Sequence, residues 1–147
     1  MKRLVIHGFL LLASVTYGYN AGAQKIKISA KNFEGMWQVS MQKNMLKGIN
    51  GTNDKFTPPR NRDFKVFDAN GNFMHFFYMN DRYVQLSRGK IKITSDSTYT
   101  EELDKHIGVP PSVKEGHVVF KFLDDDTFLM NWTLNGANGE EIYERVK

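Results

Sequence analysis

The chain contains no cysteine, only 4 prolines, and no long hydrophobic run. Without cysteine there is no disulfide framework, no thiolate metal site, no cysteine nucleophile and no thiol to accept a lipid anchor. The longest apolar stretch, from Leu4 to Val15, offers only about a dozen strongly apolar residues, whereas a helix across the bilayer core needs about 20. A transmembrane segment is therefore not expected. A stripe of positive charge is also missing. Lys2 and Arg3 lie in a segment expected to be removed, which leaves 18 basic residues against 16 acidic ones, a net charge near +2 rather than +4. Nucleic-acid binding rests on several phosphates neutralised by clustered Lys and Arg, so no nucleic-acid partner is expected. Nor does any window carry the apolar stripe of period 3.6 that marks an amphipathic helix.

What is present begins with an export signal. Lys2 and Arg3 form a charged start, Leu4 to Val15 an apolar middle, and Ala21-Gly22-Ala23 a small-x-small cleavage site before Gln24. Cleavage is expected after Ala23, with delivery to the periplasm or the exterior. Residues 24–147 then form one domain, whose stability must come from its core. The 10 Phe, 4 Tyr and 2 Trp of this domain supply the bulk for that core.

Alternation of period 2, interrupted by turn residues, runs along nearly all of this domain. In Trp37-Gln38-Val39-Ser40-Met41-Gln42 the odd positions are apolar and the even ones polar, the pattern of a strand with one face on a core. A second strand starts at Phe64-Lys65-Val66. Asp68-Ala69-Asn70-Gly71 supplies a tight turn, and Phe73 to Met79 returns. Further strands are expected at Tyr83 to Ser87, Gly89 to Thr94, Thr98 to Leu103, His117 to Leu123, Thr127 to Leu134 and Glu140 to Val146. Eight or nine short antiparallel strands must close on themselves to avoid exposed edges, which predicts an all-β up-and-down barrel. Two connections are longer. Lys43 to Arg62 exceeds an ordinary hairpin loop, which marks it as functional or disordered; Asp104 to Glu115 has room for a short helical turn.

Taking the more apolar parity of each strand as inward gives a bulky lumen. From Trp37 to Met41 the inward residues are Trp37, Val39 and Met41; then come Phe64 and Val66, Ile91 and Ile93, and Tyr99 and Leu103. Val118, Phe120 and Phe122 follow, with Phe128, Met130, Trp132 and Leu134. An eight-stranded barrel is either filled by such side chains or holds one small ligand, and the list fits both. If a ligand is held, Val39, Met41, Tyr99, Glu101, Phe120, Phe122, Met130 and Trp132 are the residues expected to touch it. Glu101 shares parity with Tyr99 and Leu103, so its carboxylate enters the lumen unless a bulge returns it to solvent. Phe73 to Met79 is apolar on both parities, which leaves either two buried faces or an outer patch for a second copy or an envelope partner.

Signatures of catalysis are absent, and no enzyme activity or cofactor is expected. His75, His106 and His117 show no close ligand spacing, and Asp124-Asp125-Asp126 lacks the spacing and glycine of a calcium loop, so no metal site is expected. Glu101 and His75 are the only pair with a place in a catalytic alternative. The sequons at Asn50 and Asn131 matter only in a glycosylating host.

At Phe33-Glu34-Gly35-Met36-Trp37 the chain resembles the lipocalins and the wider calycin group, whose first strand opens with Gly-x-Trp after a short helical turn. Tyr143-Glu144-Arg145-Val146-Lys147 matches the end of their last strand. The resemblance implies that Arg145 packs across Trp37 as a structural pair closing the barrel base, and that Lys43 to Arg62 is a lid at the open end. The chain departs from the group around Thr94 to Tyr99, where the middle motif has no clean counterpart. It looks most like small, uncharacterised lipocalin-like proteins exported by Gram-negative bacteria. The function this implies is binding of a small apolar molecule in the lumen beneath the 43–62 loop. The alternative is a packed barrel acting as an interaction or structural module of the cell envelope.

Overall fold

The computed structural model describes residues 27–44 and 55–147; the expected export signal and the middle of the 43–62 connection lie outside the described residues. Eight strands form one closed antiparallel barrel in which each strand pairs with the next and the last returns to the first. They are β1 Gly35–Asn44, β2 Arg62–Phe67, β3 Asn72–Met79 and β4 Arg82–Ser95, then β5 Thr98–His106, β6 Glu115–Asp124, β7 Thr127–Leu134 and β8 Ala137–Arg145. The stretches Tyr83 to Ser87 and Gly89 to Thr94 are one strand, not two. A bulge at Leu86, where His75 and Phe76 of β3 oppose Ser87 and Gln85, breaks the alternation within β4, which made a single strand read as a pair. The 104–115 connection shortens to residues 107–114, because β5 runs on to His106, and in place of a helix it holds one turn in which the Val113 N–H donates to the Pro110 carbonyl at 3.0 Å.

A single helical turn, Ala30–Phe33, precedes β1 and closes one end. Its Phe33 is fully buried and lies within 5.6 Å, centroid to centroid, of the rings of Phe67, Tyr99, Phe120, Phe122 and Phe128. Burying such a ring stabilises the fold by roughly 1.5–3 kcal/mol, and here it draws four strands together around one side chain. Above Phe33, Trp37 donates its indole N–H to the Phe33 carbonyl at 2.6 Å and is itself fully buried.

The pair implied by the lipocalin resemblance is formed. Arg145 stands opposite Trp37 in the β1–β8 register, with its guanidinium 4.1 Å from the indole centroid. It also donates to the Glu34 carbonyl and pairs with Asp126 at 3.2 Å, tying the end of β8 to the start of β1 and to the β6–β7 turn. Gly35 is required for this approach. Its φ is +123°, and a Cβ there would lie 2.7 Å from Arg145 Nη1. The three aspartates read as a turn are a turn: Asp124 accepts the Asp126 N–H, while Lys147 and Arg145 hold the Asp126 carboxyl below its ordinary range.

β2 is turned the other way from the sequence expectation. Phe64 and Val66 do not face the lumen; Asp63, Lys65 and Phe67 do, and all three are buried. The cause is register. Lys65 stands opposite Trp37 in β1 and opposite His75 in β3, and directly opposed residues share a face of the sheet. With Trp37 inside, Lys65 must be inside too. Phe64 instead stacks on Phe76 at 5.4 Å on the outer surface. The two-faced pattern of β3 resolves accordingly, with Phe73, His75 and Phe77 inward and Met74 and Phe76 outward.

Arg145→Ala should lower stability by about 1–3 kcal/mol, through loss of the cation–π contact and of donors to a backbone carbonyl, while leaving the lumen unaltered. Thermal melting checks it; equal melting temperatures for parent and variant would remove the closing role from this residue.

Candidate functional site

The packed aromatic layer stops partway up the barrel, and above it the lumen opens into a cavity of about 320 Å³. Apolar wall comes from Phe77, Leu86, Val118, Met130, Trp132 and Leu134. Trp132 lies across from Gly139, where a Cβ would come within 2.7 Å of the indole, so the glycine makes room for the ring. Charged groups complete the lining: Asp63, Lys65 and His75 from β2 and β3, Glu101 from β5 and Glu141 from β8.

These groups are ordered by pairing. Lys65 Nζ lies 2.5 Å from Glu101 Oε1, with side chains only 3% and 12% exposed, and 5.2 Å from the centre of the Phe73 ring. No bulge turns Glu101 out; its carboxylate enters the lumen and finds Lys65 there. His75 Nε2 lies 2.6 Å from Asp63 Oδ1. Glu141 accepts the Tyr143 hydroxyl at 2.9 Å, and burial, with Asp63 nearby, raises the Glu141 pKa. Burial also pushes the Tyr99 and Tyr143 phenols well above their ordinary range, each further opposed by a neighbouring glutamate. Desolvation lowers the His106 pKa, so this imidazole is held neutral; its Nδ1 is buried without a hydrogen-bond partner.

Of the eight residues expected to touch a ligand, Glu101, Met130 and Trp132 line the cavity. Val39, Tyr99 and Phe120 are buried in the packed layer, and Phe122 packs against it beside Phe33. Met41 is displaced. A bulge between Val39 and Met41 shifts the register so that Met41 opposes Ile142 and Gln42 opposes Glu141, which puts Gln42 at the cavity in its place. Sequence reasoning missed Asp63, Lys65, Glu141 and His106. For the first two no local signal existed: β1 and β2 are joined by the long 43–62 connection, so the Trp37–Lys65 register that puts both on the inner face is not set by any tight turn. For Glu141 none existed, since the parities of Glu140 to Arg145 are equally mixed.

The connection that follows β1 returns close to the cavity. Gln42 and Thr57 exchange two backbone hydrogen bonds, at 2.7 and 2.9 Å, so the described part of the loop lies against the strand whose Gln42 lines the lumen. Ser87 stands opposite His75 in the β3–β4 ladder and lines the same cavity as the Asp63–His75 pair. Among the described residues no three His, Asp or Glu side chains converge as a metal ion needs, and no helix is long and apolar enough to cross a membrane.

On the outer wall, Met36, Phe64, Met74, Phe76, Tyr83 and Gln85 form an open groove of about 340 Å³, with Tyr83 71% exposed.

Fold and site together define a closed eight-stranded up-and-down β-barrel with a packed base and a half-open lumen whose floor is charged. The chain belongs to the family described as domain of unknown function DUF4488, whose model matches residues 32–147, the barrel in full. No curated protein matches it.

Removing one member of the buried Lys65–Glu101 pair should cost far more than removing both. Lys65→Met alone is expected to destabilise by about 3–5 kcal/mol, because it strands Glu101 among apolar groups, and Lys65→Met/Glu101→Leu should recover most of that. Denaturant unfolding of the two variants checks it; an additive double variant would mean the pair is solvated.

Proposed function

We propose that this chain is an exported, lipocalin-like binding protein that carries a small, largely apolar molecule in the barrel lumen beneath the 43–62 loop, and that it is not an enzyme. The observation that carries this reading is the cavity itself. A lumen of about 320 Å³, walled by Phe77, Leu86, Met130, Trp132 and Leu134, falls within the usual ligand-pocket range of about 300–1,000 Å³. Apolar walls with a few polar groups at one end suit a molecule with an apolar body and a single polar head. The Gln42–Thr57 bridge supports the lid, and the charged start, apolar run and Ala21-Gly22-Ala23 site of the leader support export to the periplasm or beyond.

A second reading is favoured by the outer groove. Met74 and Tyr83 are exposed beside Phe64 and Phe76, so a barrel module that meets a second copy or an envelope protein through β3 would cover them.

Native mass spectrometry of the protein purified from the organism that makes it separates the two. The carrier reading predicts a retained small-molecule mass, lost in Gly116→Leu, whose side chain would grow into the lumen toward Leu134. A protein that emerges empty, and as a higher-mass species dispersed by Met74→Lys, would replace the carrier reading with the second.

A further inference from the structure

If the lumen is a ligand site, as proposed above, its charge says which ligand it takes. Lys65 and Glu101 neutralise one another, and Asp63 is matched by His75. Glu141 is left over. Its one hydrogen bond comes from the neutral Tyr143 hydroxyl, on Oε2, and no cationic side chain of the described residues lies within ion-pair distance. Its second oxygen, Oε1, accepts nothing from the described residues, and Glu141 lines the cavity. Even with His75 protonated, three carboxylates face one ammonium and one imidazolium, while His106 is held neutral and His117 is exposed at the rim.

A carboxylate kept from water without a cation is expensive, and a ligand that supplies the cation removes that expense on binding. We propose that the lumen selects a small amphiphile with a primary ammonium head, whose nitrogen pairs with Glu141 while its apolar body lies against Phe77, Leu86, Trp132 and Leu134. Gln42, opposite Glu141 in the β1–β8 register, brings a side-chain carbonyl to the same wall, and an ammonium has three N–H donors to share between the two. An anionic head meets surplus negative charge. A hydroxyl head leaves Glu141 without a cation.

Titration of the full chain with octylamine, octanol and octanoate at neutral pH, followed by calorimetry, holds the apolar body constant and varies the head alone. Octylamine should bind at least about tenfold more tightly than octanol, with octanoate weakest, since hydrogen bonds to a charged group contribute at least that factor. Glu141→Gln, shown by thermal melting to be folded, should reduce octylamine to the affinity of octanol. Equal affinity for the three heads, or preference for octanoate, would overturn the ammonium assignment while leaving the lumen as a ligand site. No binding of any of them would overturn both. The ranking by the unsubstituted protein decides the matter even where the variant does not fold.

Discussion

Trp37 is the constraint on which the rest of the barrel depends. Its indole is held from below by the Phe33 carbonyl and covered by the Arg145 guanidinium, so the inner face of β1 is determined at one residue. β1 is registered against β2 on one side and β8 on the other, and in an antiparallel ladder directly opposed residues share a face. The choice made at Trp37 therefore passes to Lys65 and from Lys65 to His75, and in the other direction to Arg145, Tyr143 and Phe128. A slip of one residue at any seam would turn a whole strand inside out, which is why a closed barrel tolerates bulges only where the pattern has a reason to change.

That propagation gives the lumen its character. Were β2 turned by its own hydrophobicity, Phe64 and Val66 would fill the interior and the barrel would be packed. Held by Trp37, β2 instead delivers Asp63 and Lys65, and β3, β5 and β8 answer with His75, Glu101 and Glu141. Buried ion pairs are weak contributors to stability, and well-packed apolar residues in their place are often as stable or more so. The charged floor is therefore better understood as equipment than as scaffolding. The burial it needs is supplied below, where Phe33 and Trp37 meet Phe128 edge to face and Phe128 stacks on Tyr143.

Most of the architecture was legible in the sequence, because tight turns such as Asp68–Gly71 and period-2 alternation are local signals. The closing pair was an expectation carried by the lipocalin resemblance at Gly35-Met36-Trp37 and at the terminal Arg145, not by any local pattern. What failed, failed for reasons that are not local. β2 carries apolar residues on its outer face because they meet Phe76 and Met36 across neighbouring strands, and a single strand's composition cannot tell an outer groove from an inner core. The bulges at Ser40 in β1 and Leu86 in β4 each insert one residue, so parity counted from one end is wrong at the other. For the site, Glu101, Met130 and Trp132 were found by parity, whereas Glu141 and Asp63 became visible only when the strands were closed into a ring.

The inverted face of β2 is the claim from which the charged lumen follows, and a chain without cysteine allows it to be read directly. Single Val66→Cys and Phe67→Cys variants would carry the only thiol in the protein, and their rates of reaction with a bulky, polar thiol reagent report which side chain faces outward. The account predicts rapid labelling at 66 and slow labelling at 67, where the native ring is 2% exposed. Rapid labelling at 67 with protection at 66 would put Phe64 and Val66 inside, empty the lumen of Asp63 and Lys65, and contradict it.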